Sequence, residues 1–337
     1  EEEKKKEEVV EWINACESGC IVGTHALLQE SIDLQNVALV IIDEQHRFGV
    51  EQRHALLDTG NKPAPHLLSM TATPIPRSLA LTVYGDLELS IINQLPKGRK
   101  PVATAVVPSA QQDGMWAHIK GMIQSGDQAF VVCPLIDPSD KLGVKSVTEI
   151  ATELKKGVLG AARVQILHGK LKADQKATII RDFRDGNIDI LVSTTVVEVG
   201  VDIPNATVMV ITGAERFGLA QLHQLRGRVG RSEKQSYCYL LPETLSVISQ
   251  QRLQAMVEST DGFVLAEKDL ELRGPGNLFG NAQSGFPDFK LATIADVELM
   301  KAAGDAAKKI AKEDPELVAH PKLQEKIDLT FESIHLE

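Results

Sequence analysis

The strongest constraint on the fold is an apolar run that does not alternate. Residues 37–42 are Val, Ala, Leu, Val, Ile and Ile, and the run stops abruptly at Asp43, Glu44, Gln45 and His46. A strand with one wet face alternates apolar and polar residues, whereas an unbroken apolar strand is covered on both faces, as in a parallel sheet flanked by helices. Similar runs at 20–23 and 67–72 also end in polar residues. A second series at 103–107, 128–134, 163–167, 188–193, 207–211 and 236–241 alternates with helical stretches such as 173–184. This spacing predicts an α/β fold of parallel strands joined by right-handed crossovers. Ligands of such sheets bind beyond the carboxyl ends of the strands, so the residues that close each strand are the candidate site.

Two such units are expected. Pro96, Lys97, Gly98, Arg99, Lys100 and Pro101 form a polar stretch bracketed by prolines, the composition of a linker. The expected divisions are residues 1–96, 97–242, a helix-rich appendage at 243–290 with Gly and Pro punctuation from Gly274 to Gly285, and a helical tail at 291–337. The 46 acidic and 36 basic residues leave a formal charge of -10, which excludes a general basic coat for nucleic acid and confines any such contact to a local track. No apolar run approaches the ~20 residues of a membrane-spanning helix, so no membrane partner is expected. Cys16, Cys20, Cys133 and Cys238 are too few and too scattered for a disulfide framework, and no second Cys or His pair follows at zinc-ligand spacing. Ordinary thiols of a reducing, cytoplasmic compartment fit.

Several strand ends carry chemistry. Asp43 and Glu44 are the adjacent acids that phosphate hydrolysis needs, one to hold Mg²⁺ through water and one to orient the attacking water. Taken alone they are more readily read as a strand terminus with acids capping a helix. Ser69, Thr71 and Thr73 close the next strand, where hydroxyls could hydrogen-bond the acidic cluster. Residues 221–231 carry Arg226, Arg228 and Arg231, a density of like charge that calls for an anionic partner such as a transferring phosphoryl group, or for pairing with Glu215 and Glu233 on a surface helix. Ser193, Thr194 and Thr195 end one strand and His168, Gly169 and Lys170 another, which suits a phosphate seat or ordinary turn chemistry.

In this order and spacing, Asp43-Glu44-Gln45-His46, Thr71-Ala72-Thr73, residues 194–202 and the string QLRGRVGR at 224–231 resemble motifs II, III, V and VI of superfamily 2 helicases. The strings DEQHRFGVEQR, SMTATPIPRSLALTVYGDL, STTVVEVGVDIPNA and ERFGLAQLHQLRGRVGRS are similar to the RecG family of branch-migrating DNA helicases and to its relative, the transcription-repair coupling factor. Residues 285–296 look like RecG rather than the coupling factor. The resemblance implies two RecA-like motor domains, the first truncated, and a helical translocation appendage. It assigns Mg²⁺ to Asp43, water activation to Glu44, and coupling of hydrolysis to movement to Gln45, His46, Thr71 and Thr73. It places Gln224, Arg228 and Arg231 at the γ-phosphate and Gly200 and Asp202 near the nucleotide. Gly23, Thr24, His25, His168, Gly169, Thr194 and Thr195 line the DNA track, and Arg252, Arg273 and Gln283 belong to the translocation motif. The implied cofactors are ATP and Mg²⁺. The implied partners are branched DNA (forks and four-way junctions) and single-stranded DNA-binding protein, for a monomer at the bacterial nucleoid.

The departure from the family pattern is the P-loop. No G-x-x-x-x-G-K followed by Ser or Thr occurs; Gly169-Lys170 is followed by Leu171. The expectation is a chain that starts inside the first motor domain, lacks the DNA-wedge domain, and is inactive alone. Its first hundred residues should then expose strand edges and apolar faces. A translocase of the coupling-factor type and a non-catalytic DNA- or partner-binding module are the alternatives.

Overall fold

The computed structural model describes residues 2–15, 18–24, 27, 37–44, 65–72, 88–92, 94, 96–134, 141–195, 203–273 and 297–334. They fall into two compact units, Glu1–Thr73 and Pro74–Glu337.

In the first unit, helix α1 (Glu2–Ala15) precedes two short strands, β1 (Leu39–Ile42) and β2 (His66–Ser69). The strands pair in parallel with Leu39 opposite His66 and Ile42 opposite Ser69. His66 N–H donates to Ala38 O at one end and Met70 N–H to Ile42 O at the other. Parallel pairing therefore brings Asp43 and Glu44 to the same edge as Met70, Thr71 and Ala72. Two expectations are corrected. Residues 20–23 form no strand, because the apolar pair Ile21 and Val22 finds no ladder partner among the described residues. The strand β1 is also not covered on both faces. Val40 and Ile42 are buried, whereas Leu39 and Ile41 are 53% and 56% exposed. Leu68 on β2 is exposed as well, so the expected open apolar face is present in this unit.

The second unit is built on six strands: β3 (Ala103–Val106), β4 (Gln128–Val132), β5 (Val164–Leu167), β6 (Ile190–Ser193), β7 (Ala206–Thr212) and β8 (Tyr237–Leu241). Their order is β3-β8-β7-β4-β6-β5, and every pair is parallel. The unbroken apolar runs behave as the sequence predicts. On β4, Phe130 and Val132 enter one core with Met209 and Ile211 of β7, while Ala129 and Val131 enter the other with Val208 and Val210. Successive residues point to opposite faces, and both faces are buried. Helices α2 (Gln112–Gln124) and α3 (Lys141–Lys156) cover the second face through Met115, Ile119, Ala151 and Leu154. Helices α4 (Ala173–Arg184) and α5 (Leu219–Arg226) cover the first through Ile179, Phe183, Leu219, Leu222 and Leu225, spaced as one helical stripe requires.

A hairpin of α6 (Val247–Glu258) and α7 (Gly262–Arg273) packs on the same face as α5, with Leu253, Met256 and Leu265 in the core. Ser246 caps α6: Ser249 N–H donates to Ser246 Oγ, and Ser246 N–H donates to Ser249 Oγ. Helices α8 (Val297–Glu313) and α9 (Pro321–Ile334) follow, joined by a turn whose Val318 and Ala319 N–H groups donate to the Asp314 carboxylate. At the expected linker, Arg99 N–H donates to Pro96 O across Gly98, whose φ of +86° suits the third position of a type II turn. No helix among the described residues is long and apolar enough to cross a membrane.

Candidate functional site

The acidic box lies at the carboxyl edge of the first unit's sheet. Asp43 is exposed and Glu44 half-buried. Glu44 N–H donates to Asp43 Oδ1 at 2.9 Å, and Glu44 itself holds φ at +51°, a left-handed conformation that a residue with a side chain adopts at a cost of about 1 kcal/mol or more. That turn aims its carboxylate at the end of β2, where Ala72 N–H donates to Glu44 Oε2 at 3.5 Å. The hydroxyl-rich segment thus meets the acid through a backbone amide. Thr71 beside it is exposed. Gln45, His46 and Thr73 lie outside the described residues, as does His25. Gly23 and Thr24 are exposed at a turn closed by Leu27 N–H on Thr24 O, and a Cβ on Gly23 would meet Leu27 Cγ at 2.7 Å.

The arginine segment follows α5 directly. Gln224, Arg228 and Arg231 are half-buried. Arg228 N–H donates to Leu225 O and Val229 N–H to Arg226 O, so the chain turns tightly as it leaves the helix. Gly230 completes the turn at φ +77°, with Val102 Cγ2 only 2.7 Å from where a Cβ would stand. Glycine is required there on both counts.

Arg226 corrects the reading of three arginines awaiting an anion. It is 4% exposed, and its Nη1 donates to Met256 O and Ser259 O, both at 2.8 Å, while Nη2 bonds His223 Nδ1 at 3.1 Å. Carbonyls at the end of α6 take the place of the anion. Burial, then the neighbouring guanidinium, hold His223 down at about 4, so its ring is neutral and accepts from Arg226. The sequence gives His223 no role and presents Arg226 as one of three like arginines. The signal that marks Arg226 is periodicity: Leu219, Leu222 and Arg226 are spaced i, i+3, i+7 on the buried stripe of α5.

The remaining candidates divide by burial. Thr194 is 1% exposed and its hydroxyl has no partner among the described residues, as is true of Ser193 next to it; Thr195 is half-buried. His168 borders a cleft of about 510 Å³ lined also by Gln165, Asp174, Gln175 and Thr178. Burial and then Lys170 and Lys176 push its pKa below the usual imidazole range. Gly169 is exposed, and its carbonyl accepts from Lys176 Nζ at 2.7 Å. Arg252 on α6 is half-buried, with Nη1 3.5 Å from Glu215 O in the turn that precedes α5 and a buried Nε that bonds nothing among the described residues. Arg273 ends α7. Gly200, Asp202 and Gln283 lie outside the described residues.

A doubly covered parallel sheet, an acidic box at a strand's carboxyl end and an arginine segment at a helix end define the motor fold of superfamily 2 helicases. Family comparison agrees: residues 1–82 match the DEAD/DEAH box helicase model and residues 115–233 the helicase conserved C-terminal domain. Residues 259–325 match domain 3, C-terminal, of ATP-dependent DNA helicase RecG. The chain is homologous to the RecG helicases over nearly its whole length. It is 49% identical to ATP-dependent DNA helicase RecG of Synechocystis sp. across 98% of the chain and 40% of that protein, and 46% identical to RecG of Streptococcus pneumoniae across 96% of the chain and 49% of that protein. A solved structure of RecG bound to a three-way DNA junction, 42% identical, superposes with a TM-score of 0.67 over 88% of this chain and 38% of that one. The chain thus spans less than half the length of these curated relatives.

Proposed function

We propose that this chain works in an ATP-driven DNA translocase that acts on branched DNA, remodelling forks and four-way junctions in recombination and repair. The observation that carries the reading is the 42% identical RecG seen on a three-way junction, whose fold this chain shares over 88% of its length. ATP and Mg²⁺ supply the phosphoanhydride to be cleaved and the cation that neutralises it. The residues present fit them in part. Asp43 is exposed at a strand end with Oδ1 engaged by Glu44 N–H, which suits a cation held through water. Glu44, aimed by its left-handed turn and by Ala72 N–H, orients and deprotonates the attacking water. Arg228 and Arg231, presented by the Gly230 turn, stabilise charge that develops on the phosphoryl oxygens. The residues that would cradle the β- and γ-phosphates are not among the 337. Roles for Gln224, the track residues, Arg252 and Arg273 rest on the family resemblance, as do a monomeric state, single-stranded DNA-binding protein as a partner, and a place at the bacterial nucleoid.

The test is Glu44→Gln in the full-length gene product, with ATP turnover measured on a three-way junction and on linear duplex. Loss of a positioned general base lowers turnover by about 10²–10⁴-fold. Turnover at the wild-type rate refutes the role of Glu44, and a wild type that no DNA stimulates refutes the translocase reading.

A further inference from the structure

The stretch that leaves Arg231 is held in place by the segment that the sequence marks as a linker. We infer that Gln235 is a positioning residue for the phosphate-directed arginines: it fastens residues 230–236 to residues 98–102, so that the end of the linker fixes where Arg231 stands. The inference rests on the translocase reading for the role of Arg231 and on geometry alone for the fastening.

Three observations carry it. First, residues 230–236 connect α5 to β8, and a connecting segment has little rigidity of its own. Here the contacts of that stretch are made to the linker and to the residue before β4. A Cβ on Gly230 would meet Val102 Cγ2, and one on Gly98 would stand 2.9 Å from Glu233 Oε1, so Glu233 lies against the linker turn. Lys234 Nζ pairs with Asp127 Oδ1 at 2.8 Å. Ser236 O accepts from Ala103 N–H at 2.9 Å. Second, the Gln235 amide spends its two protons on two chain segments: Nε2 donates to Pro101 O and to Ser236 O, both at 3.0 Å. Pro101 and Gln235 are 134 residues apart in sequence, and this bond joins them side chain to backbone. Third, the linker is stiff where it is grasped. Pro101 locks its own φ and keeps Lys100 out of the helical region, while Arg99 N–H closes the turn on Pro96 O. The Pro101 carbonyl is therefore a fixed acceptor, and residues 98–102 move together with the stretch that begins at Gly230.

A tie that served stability alone would show the same bonds. The distinguishing quantity is selectivity for the transition state, because arginines directed at a transferring phosphoryl group act on charge that develops during transfer, and their displacement lowers kcat while sparing nucleotide binding. Gln235→Ala is made in the full-length gene product. Pro101 is exposed and Ser236 O keeps its bond from Ala103, so water replaces the lost donor and the fold survives. ATP turnover is measured on a three-way junction, with affinities for ADP and for ADP–aluminium fluoride, a mimic of the transferring group. Hydrogen exchange is read over 96–103 and over β7. A displacement of this kind is expected to lower kcat and the affinity for ADP–aluminium fluoride at least about tenfold each, with KM for ATP and the affinity for ADP within about threefold of wild type. Amides over 96–103 exchange faster while β7 stays protected. Both affinities falling together, or kcat unchanged, overturns the positioning role. Unchanged exchange over 96–103 overturns the fastening, and β7 exchanging faster as well shows a fold residue with no separable role. Failure of the translocase reading would show independently, as absent DNA stimulation in the wild type, and the exchange comparison needs neither DNA nor nucleotide.

Discussion

His223 gives the most quantitative handle on the arginine segment. Its imidazole lies on α5 against the Arg226 guanidinium; burial first, then that positive charge, hold it down at about 4, with Asp261 pulling weakly the other way. In the unfolded chain an imidazole titrates near 6.5. Above pH 6.5 both states are neutral at this position and stability is complete. As pH falls below 6.5 the unfolded chain takes up a proton that the native state refuses, and stability is lost until the native ring protonates near 4. At about 1.4 kcal/mol per pH unit, the loss between pH 7.5 and 4.5 comes to about 2.5 kcal/mol. Carboxylates titrate over the same range, so the comparison is with His223→Gln, whose amide oxygen still accepts from Arg226 and does not titrate. Urea unfolding of the second unit, followed through exchange of the β7 amides, is measured for both proteins at the two pH values. The wild type should lose about 2.5 kcal/mol more than the variant on acidification. Equal losses would refute the reasoning, as would a His223 resonance that titrates near 6.5.

Two further substitutions probe what positions the site. Gln128 is 4% exposed and its Nε2 donates to Phe183 O and Ile188 O, both at 2.6 Å, tying the end of α4 to the start of β6; Gln128→Ala strands both carbonyls and should cost about 2–4 kcal/mol in denaturant unfolding, with a loss under about 0.5 kcal/mol counting against the account. Gly230→Ala places a Cβ 2.7 Å from Val102 Cγ2 in a left-handed turn and should cost about 1–3 kcal/mol while lowering DNA-stimulated ATP turnover; a neutral variant would show that the turn can relax.

What could be read from sequence follows from how many neighbours a residue needs in order to declare itself. The central strands β4, β6 and β7 declared themselves because burial on two faces leaves few polar positions within a run, as Ala129 and Phe130 entering opposite cores show, whereas the edge strands β3 and β5 carry Thr104 and an exposed Gln165. The same rule misjudged β1: Leu39 and Ile41 are as apolar as their buried neighbours, yet their face lies open, because an apolar run records what a strand can have beside it and not what is there. Asp43 and Glu44 stood out by type at a strand end. The left-handed turn of Glu44 did not, since nothing local forces a glutamate to φ +51°. Arg226, Arg228 and Arg231 look alike in sequence, and what sets the buried Arg226 apart from its two half-buried neighbours is the carbonyls of a helix some thirty residues away.

The way α6 ends explains why position 226 holds an arginine. Other helices of the unit stop locally: α4 runs into Asp185 and Gly186, whose φ is +78°, with Gly186 N–H on Phe183 O; α2 runs into Ser125 and Gly126 at φ +90°, with Gly126 N–H on Ile123 O. Such left-handed glycines feed a helix's last carbonyls from the next residues of the same chain. Helix α6 has no such stop. Ser259 follows in extended conformation at φ -127° and ψ 137°, its N–H reaches Ala255 O, and Met256 O is left to a donor from elsewhere. An apolar residue at position 226 would avoid the desolvation of a buried cation but would leave that carbonyl unbonded in the core. A glycine after α6 would close the helix and free it from α5. The sequence does neither, so α6 is completed only when α5 is in place. The hairpin and the arginine segment are therefore stabilised as one body, and weakening Arg226 should loosen the hairpin before it loosens the sheet.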